Sequence, residues 1–539
     1  MALPLSMALA IASGVPPEHG LYTAIVAGAV TALLGGSRVQ VTGPTAAFVV
    51  VLAPIAQEHG AGGLLAATLM AGVILAAFGA TGMGQLIQFI PYPVTAGFTA
   101  GIATVIATFQ LKDFFGLTLA HAPPHYLERV VELVAASDTL RPADTALGVI
   151  SLALLIFLPR VTRRVPAPIL VLPLAALAGA LIAQLAPEHA VATIRSQFGG
   201  VPRSLPSPAL PWHWLGPGGD ALQFRELIGP AFAIAVLGAI ESLLSAVIAD
   251  GMTGQRHNPD AELFAQGVGN IVVPFFGGIA ATGAIARTAT NIRSGGRSPV
   301  AAVTHALFVL AAMAALAPWL GYLPMASLAA LLLVVAWNMS EIKHVLRTAR
   351  VAPRSDVVVL AVCFGLTIVF DMVVAVSAGV VLAALLFMRR MADLASFRLL
   401  GEEHPSLVEP LPKGAMQYEI AGPLFFGAAQ KAISALRAVG AGVRVVLLDL
   451  RNVPIMDATG LVNLESALDA LHRAGVYVIV AGVQDEPLRL MAKAGWKHRP
   501  WLVVLRSFDD GLALTRTLAP SDFEAHADAH AKLRHPPGL

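Results

Sequence analysis

The chain has 539 residues, 56% of them hydrophobic and 13% charged, with a net charge of +2; its mean hydropathy is +0.74. Soluble domains run at about 45–50% apolar and about 25% charged, so an ordinary soluble enzyme, a disordered chain and a nucleic-acid-binding protein are all excluded. A lone cysteine, Cys363, leaves no internal disulfide and no cysteine metal cluster, and a multispanning membrane protein is the class that remains.

Met1 runs almost at once into an apolar stretch that stops at Pro16-Pro17. The stretch has no basic leader and is shorter than the roughly 20 residues of a full span. Either the first helix is discontinuous or natural residues precede Met1. Apolar segments then recur near 20–36, 43–57, 62–82, 91–111, 143–159, 166–186, 227–250, 261–276, 283–295, 299–318, 323–339, 356–371 and 372–388, about fourteen spans in all. Glu18, beside Pro16-Pro17, reads as a solvated or capping residue at a membrane edge, and Asp371 as a turn residue.

Basic residues set the orientation. Arg160, Arg163 and Arg164 share one connection, Arg256 lies in another, and Arg293 and Arg297 in the next. Lys343, Arg347, Arg350 and Arg354 crowd a further one, and Arg389-Arg390 close the last apolar run. All follow even-numbered spans, so the positive-inside rule puts them, and everything after residue 391, in the cytoplasm. The long, proline-containing connections 112–142 and 187–226 fall on the outer face.

Two stretches repeat one pattern. Leu33-Leu34-Gly35-Gly36 leads through Ser37–Val41 to Thr42-Gly43, and Phe275-Phe276-Gly277-Gly278 leads through Ile279–Ala281 to Thr282-Gly283. Each reads as a helix end, a short extended piece and a new helix opening. Each is third in its half if the halves, 1–186 and 227–391, hold seven spans; an odd number inverts the second copy in the membrane. A helix N-terminus exposes unpaired N–H groups and about half a positive charge. Two such ends aimed at one cavity make an anion site, and interrupted segments at matching positions of two halves point to a transporter's substrate site. The alternative is that the double glycines only permit close helix packing.

Ionisable groups inside the apolar part sharpen this. Glu241 stands in the middle of 227–250, where a charge costs at least roughly 2.5–3.5 kcal/mol. It reads as a proton carrier or as a neutral, hydrogen-bonded structural acid. Ser245, one turn on, shares its face. Arg287 falls in the first turn after Gly283, where it could bind the anion, balance Glu241, snorkel, or tie two helices together. Pro44 suits a helix opening because its missing N–H is not needed there, and Thr45 can offer a hydroxyl. No P-loop, HExxH or catalytic triad is found, so no enzymatic activity, cofactor or metal site is expected.

Residues 1–391 carry 37 of the Asp, Glu, Lys and Arg residues and 392–539 the other 31. The second part therefore reads as a linker (392–413), a water-exposed domain (414–520) and a polar tail (521–539). His526, His530 and His535 in the tail could invite a metal but read as exposed tail residues. Runs 416–420, 443–450, 476–481 and 501–505 are strand-like and alternate with helical stretches 427–439, 459–474, 486–495 and 509–518, an α/β sandwich.

At these residues the chain resembles the SulP (sulfate permease) anion transporters. The motifs are "GVPPEHGLYTAIVAG" (14–28), "GGSRVQVTGPTAAF" (35–48), "GAIESLLSAVIADGMTGQRHNPDAEL" (238–263) and "GNIVVPFFGGIAATGAIARTATNIRSGGRSP" (269–299). "VRVVLLDLRNVPIMDATGL" (443–461) resembles a STAS domain. The resemblance implies a seven-plus-seven inverted repeat of core and gate bundles, a homodimer, and a small inorganic or carboxylate anion held between the third and tenth spans. Thr45 and Ala46 match the third-span contacts, Ala284, Ile285, Ala286 and Arg287 the tenth, and Leu5 and Leu9 first-span positions. Sodium-coupled members carry aspartate where Glu241 stands and threonine where Ile285 stands, so the resemblance favours proton coupling through Glu241 over sodium coupling. It implies symport in the bacterial plasma membrane, with sulfate, bicarbonate or a C4-dicarboxylate carried; an exchanger or passive channel is the alternative. In signalling STAS proteins a serine of an Asp-Ser-Ser-Gly loop is phosphorylated. Here the loop is Asp457-Ala458-Thr459-Gly460, which leaves Thr459 for a weak regulatory role or for capping the next helix.

Overall fold

Prolines open helices along the first part of the chain and glycines close them. Pro17, Pro142, Pro259 and Pro299 each occupy a first helical turn, where a missing N–H costs nothing. Gly116 (φ 65°) and Gly254 (φ 72°) end helices in the left-handed conformation that favours glycine. The computed structural model describes residues 2–517 except 88–89, 122, 124–125, 163–164, 204, 211–223, 371, 395, 401–410, 426–441, 497–498 and 500. Arg163, Arg164, Asp371, the expected helix 427–439 and the tail histidines His526, His530 and His535 lie outside the described residues. The chain divides into two units, Met1–Ala383 and Ala384–Leu539.

The first unit contains helices α1 (Ala2–Ala12), α2 (Pro17–Leu34), α3 (Ala46–Ala80), α4 (Gly84–Ile87), α5 (Tyr92–Phe115), α6 (Tyr126–Ala135), α7 (Pro142–Val161), α8 (Ala167–Leu185) and α9 (Ile194–Phe198). They continue through α10 (Ile228–Thr253), α11 (Pro259–Val272), α12 (Ile285–Arg293), α13 (Pro299–Leu320), α14 (Met325–Met339), α15 (Ile342–Val351) and α16 (Arg354–Val369); α17 (Met372–Leu394) begins in this unit and ends past its last residue, Ala383. Two strands of two residues each, β1 (Thr42–Gly43) and β2 (Thr282–Gly283), interrupt the series. Eight helices among the described residues are long and apolar enough to cross a membrane. The 35-residue α3 is one of them, broken at Gly60 (φ 67°), where the sequence separates segment 43–57 from 62–82.

These helices pack as two groups. In one, α3 lies against α10 and α11, and α2 against α1, α11 and α13; in the other, α5 lies against α14 and α16, and α7 against α8 and α14. Small residues bring α3 and α11 backbone to backbone: a Cβ on Gly267 would lie 2.3 Å from the Ala76 nitrogen. Phe308 of α13 and Leu177 of α8 are 67% and 59% exposed, as suits an exterior wetted by lipid.

The second unit is a five-stranded sheet in the order β3 (Ser396–Leu400), β4 (Ala415–Ala421), β5 (Val445–Asn452), β6 (Tyr477–Ala481), β7 (Leu502–Val504). β3 runs antiparallel and the other pairs are parallel. Helices α18 (Ala458–Arg473), α19 (Asp485–Lys493) and α20 (Phe508–Thr517) follow. β5 is buried on both faces, as a central parallel strand must be: Leu448 packs with Leu464, Leu468 and Trp496, and Leu447 with Ile479 and Leu512. The expected linker 392–413 is not all linker. Its Ser-Phe-Arg-Leu-Leu stretch forms β3 and pairs Arg398 with Glu419, a cross-strand partnership invisible in a five-residue run by itself.

Candidate functional site

Thr42 pairs with Gly283 and Gly43 with Thr282. The two repeated Thr-Gly pairs thus form one antiparallel crossing. The chain leaves it as α3 after Thr45 on one side and as α12 after Ala284 on the other. Thr45 and Ala284 stand at the N-caps, both extended, and neither supplies a side-chain cap to its helix. The first amides of both helices therefore lack intrahelical partners, and each tip adds about half a positive charge at the crossing.

Arg287 bridges the two tips. Its Nη2 donates to Ser6 Oγ of α1 at 3.0 Å and to the Pro44 carbonyl at 3.3 Å, while its Nε and Nη1 are buried without partners. No ion pair joins it to Glu241. Thr45 Oγ1 is also buried without a hydrogen-bond partner. A Cβ on Gly43 would meet Arg287 Nη1 at 2.4 Å, so only glycine leaves the guanidinium its place beside the α3 tip. Pro44, Ala46 and Leu9 are buried, Leu5, Thr45 and Ile285 are half-buried, and Ala286 is exposed. α1 packs against α2 and α3, which brings the Leu5–Leu9 helix to the same place through Ser6.

Helix α10 forms the remaining wall, packed against α3, β2 and α12. Ser242 Oγ lies 2.7 Å from Thr282 Oγ1 and accepts the Gly283 N–H at 3.1 Å. Ser245 donates to Thr288 Oγ1 at 3.5 Å, and that oxygen accepts the Val41 N–H at 3.0 Å. Ser245 thus supports the α12 side of the crossing. Glu241, 6% exposed, falls on the same helical face, between the positions of Gly238 and Ser245.

A buried polar ladder on α11 holds the crossing from behind. Glu262 Oε2 accepts the Ser37 N–H at 3.0 Å, and Oε1 accepts Gln40 Nε2 at 2.8 Å and Gln266 Nε2 at 3.2 Å. Gln266 also donates to Thr42 Oγ1 at 2.8 Å, and Asn270 makes a two-way pair with the Ala281 backbone. Ser6, Gln40, Ser242, Glu262, Gln266, Asn270 and Thr288 are not among the site residues expected from the sequence. The signal for three of them was present: Glu262, Gln266 and Asn270 stand at i, i+4 and i+8 in an apolar segment, one polar stripe on one face.

The Asp457–Gly460 loop of the second unit departs from expectation. Asp457, not Thr459, caps α18: its side chain accepts the Gly460 N–H at 2.6 Å. Thr459 is exposed in the first turn. Aspartate wins because its carboxylate sits at the residue just before the helix, where the geometry reaches the third amide and the helix dipole favours negative charge. Among the described residues no group of three or more His, Cys, Asp or Glu is placed to hold a metal ion.

Inward-aimed helix tips at crossed strands, set in an apolar helical unit and joined to a separate α/β domain, define a membrane protein of the anion-transporter type. The sulfate permease family model matches residues 1–363 and the STAS domain model residues 409–504; the chain belongs to the sulfate permease family. It is 39% identical to the putative sulfate transporter YvdB of Bacillus subtilis over 93% of this chain and 92% of that one. It is 28% identical to the bicarbonate transporter BicA of Picosynechococcus over 92% and 88%. Its fold matches the murine Solute Carrier 26 family member A9 anion transporter in the inward-facing state, with TM-score 0.80, 18% identity and coverage of 96% and 89%. It also matches the transmembrane domain of a cyanobacterial BicA, with TM-score 0.60, 26% identity and coverage of 71% and 94%.

Proposed function

We propose that this protein is a secondary active transporter of a small oxyanion, with sulfate and bicarbonate the leading substrates and a C4-dicarboxylate the third. The carrying observation is the crossing itself: two helix tips, the unpartnered nitrogens of Arg287 and the unpartnered Thr45 hydroxyl converge beside it. That is a concentration of positive potential and donors with no carboxylate among the described residues paired to it. The family membership, and relatives named for sulfate and bicarbonate transport, support the substrate class.

The anion seats against the amides after Thr45 and Ala284, with Gly43, Gly283, Ala46, Ile285 and Ala286 shaping the hollow and Leu5 and Leu9 closing it. Glu241 takes up a proton with the anion. Protonation removes the cost of carrying a bare carboxylate through the bilayer, roughly 2.5–3.5 kcal/mol or more. The group holding the crossing (α1–α3 and α10–α13) then moves against the group of α5–α8 and α14–α17, exposing the seat to the other side. Seven-plus-seven inverted halves and fourteen spans follow from this reading, as do a homodimer, a bacterial inner-membrane location and a cytoplasmic STAS domain.

The test is uptake of radiolabelled sulfate, bicarbonate and fumarate by proteoliposomes, with and without a pH gradient. The expected result is accumulation against a gradient of one of them, driven by inward proton flow and lost in Glu241→Gln while binding persists. Flux that only ever runs downhill would replace the transporter by a passive channel, and proton-independent exchange would remove Glu241 from the coupling step.

A further inference from the structure

A second concentration of positive charge lies away from the crossing. A cavity of about 300 Å³ is lined by Ile11 and Ala12 at the end of α1, Gln57 of α3, Phe109, Gln110, Lys112 and Asp113 of α5, Arg129 of α6, and Arg141 and Met325 at the starts of α7 and α14. It therefore sits between the two helical groups, bounded by the same α1 and α3 that carry Leu9 and Thr45. Arg141 precedes α7, whose last turn carries Arg160; Met325 opens α14, which is followed by the basic α15. The cavity is thus at the end of the helices opposite the basic loops.

Arg129 is the unusual group. It is only 9% exposed, its Nε and Nη1 have no hydrogen-bond partner, and its guanidinium lies over the Phe109 ring at 5.2 Å. Asp113 and Glu132 are the carboxylates that act on it, yet Nε and Nη1 stay unbonded, and an unsatisfied donor on a buried charged group is costly. Arg141 is already engaged, 3.7 Å from Asp144 and donating to the Ala190 carbonyl. Among the residues lining the cavity Lys112, Arg129 and Arg141 face one carboxylate, Asp113, while Asp144 beside Arg141 and Glu132 near Arg129 lie outside the lining, so the cavity wall itself presents cationic N–H donors in excess, the fixed fork of Arg129 among them. A planar or tetrahedral oxyanion matches that fork in a way a cation or an apolar solute does not.

We propose that this cavity is a separate anion-capture site in the outer mouth, with Arg129 as its principal ligand, loading the same small oxyanions that the crossing then carries. Only the identity of the anion rests on the transport reading. The site is filled when the two helical groups stand apart at this end, and its occupant passes along α1 and α3 toward Thr45, about 18 Å of helix from Gln57.

Sulfate and bicarbonate are the probes, used on the purified full-length protein. Arg287→Ala weakens the seat at the crossing, so in that background the part of the anion binding that responds to Arg129 reads the outer cavity. The expected result is saturable binding in Arg287→Ala, weakened at least about tenfold when Arg129→Gln is added, as for the loss of a charge-assisted hydrogen bond. In proteoliposomes Arg129→Gln should raise KM for the external anion with kcat little changed. Loss of all binding in Arg287→Ala, or equal binding in the double variant, would overturn the proposal. If the wild type moves no anion yet shows Arg129-dependent binding, the transport reading fails and this site stands.

Discussion

Replacing Glu262 with alanine tests whether the polar ladder on α11 holds the helix tips in place. The carboxylate is 1% exposed and accepts from three donors, the Ser37 amide and the side-chain amides of Gln40 and Gln266. Gln266 keeps its bond to Thr42 in the variant, but the Ser37 N–H is fixed in the backbone and Gln40 loses its side-chain acceptor. Two donors left unsatisfied at roughly 1–3 kcal/mol each give a destabilisation of about 2–6 kcal/mol. Glu262→Gln should be milder. The Oε1 atoms of Gln40 and Gln266 are themselves buried without partners, so an amide flip lets one of them accept from the new N–H₂ group. The assay is thermal unfolding of the solubilised protein beside anion uptake in proteoliposomes. The expected order is wild type, then Glu262→Gln, then Glu262→Ala, in both. Equal melting temperature and uptake for Glu262→Ala and wild type would refute the idea that this carboxylate holds the crossing.

Arg287→Ala should weaken anion affinity about tenfold or more, measured by equilibrium binding, because the charged donors beside both helix tips are gone. Gly283→Ala places a Cβ 2.2 Å from Gln40 Nε2 and 3.2 Å from the Ser242 Cα; overpacking of this kind costs about 1–3 kcal/mol, and uptake should fall with the melting temperature. In the second unit, Asp457→Ala should loosen the start of α18 by about 0.5–2 kcal/mol, read as faster amide exchange over residues 458–473. Thr459→Ala should leave that exchange unchanged.

The Thr-Gly pairs were legible because a helix that stops and restarts inside an apolar stretch leaves its mark in local composition. Their partnership was not. Nothing local says that Thr42 faces Gly283 rather than its own neighbours, since a two-residue strand has no pattern from which to read a register. Arg287 could be placed in the first turn of a helix, yet its bonds to Ser6 and Pro44 depend on α1 folding back beside α3. Glu262 escaped notice for a different reason: it lies near the polar 250–260 connection and looks like a surface acid until Gln266 and Asn270 are read with it as one stripe. The strand at 396–400 was hidden because its partner begins fifteen residues later and supplies the only hydrophobic context that distinguishes it from a linker.

The antiparallel pairing of β1 with β2 also bears on how the protein is made. Its two halves are separated by about 240 residues, which a ribosome adding roughly 5–20 residues per second takes about 12–48 s to deliver. Through that interval the newly inserted first strand has no mate, in surroundings where an unbonded amide is costly. A nascent chain released before residue 283 has no seat for a solute, however well its early helices have inserted. Quality control that monitors assembly of the helical unit therefore has an all-or-none event to sense midway through synthesis: the arrival of the second strand.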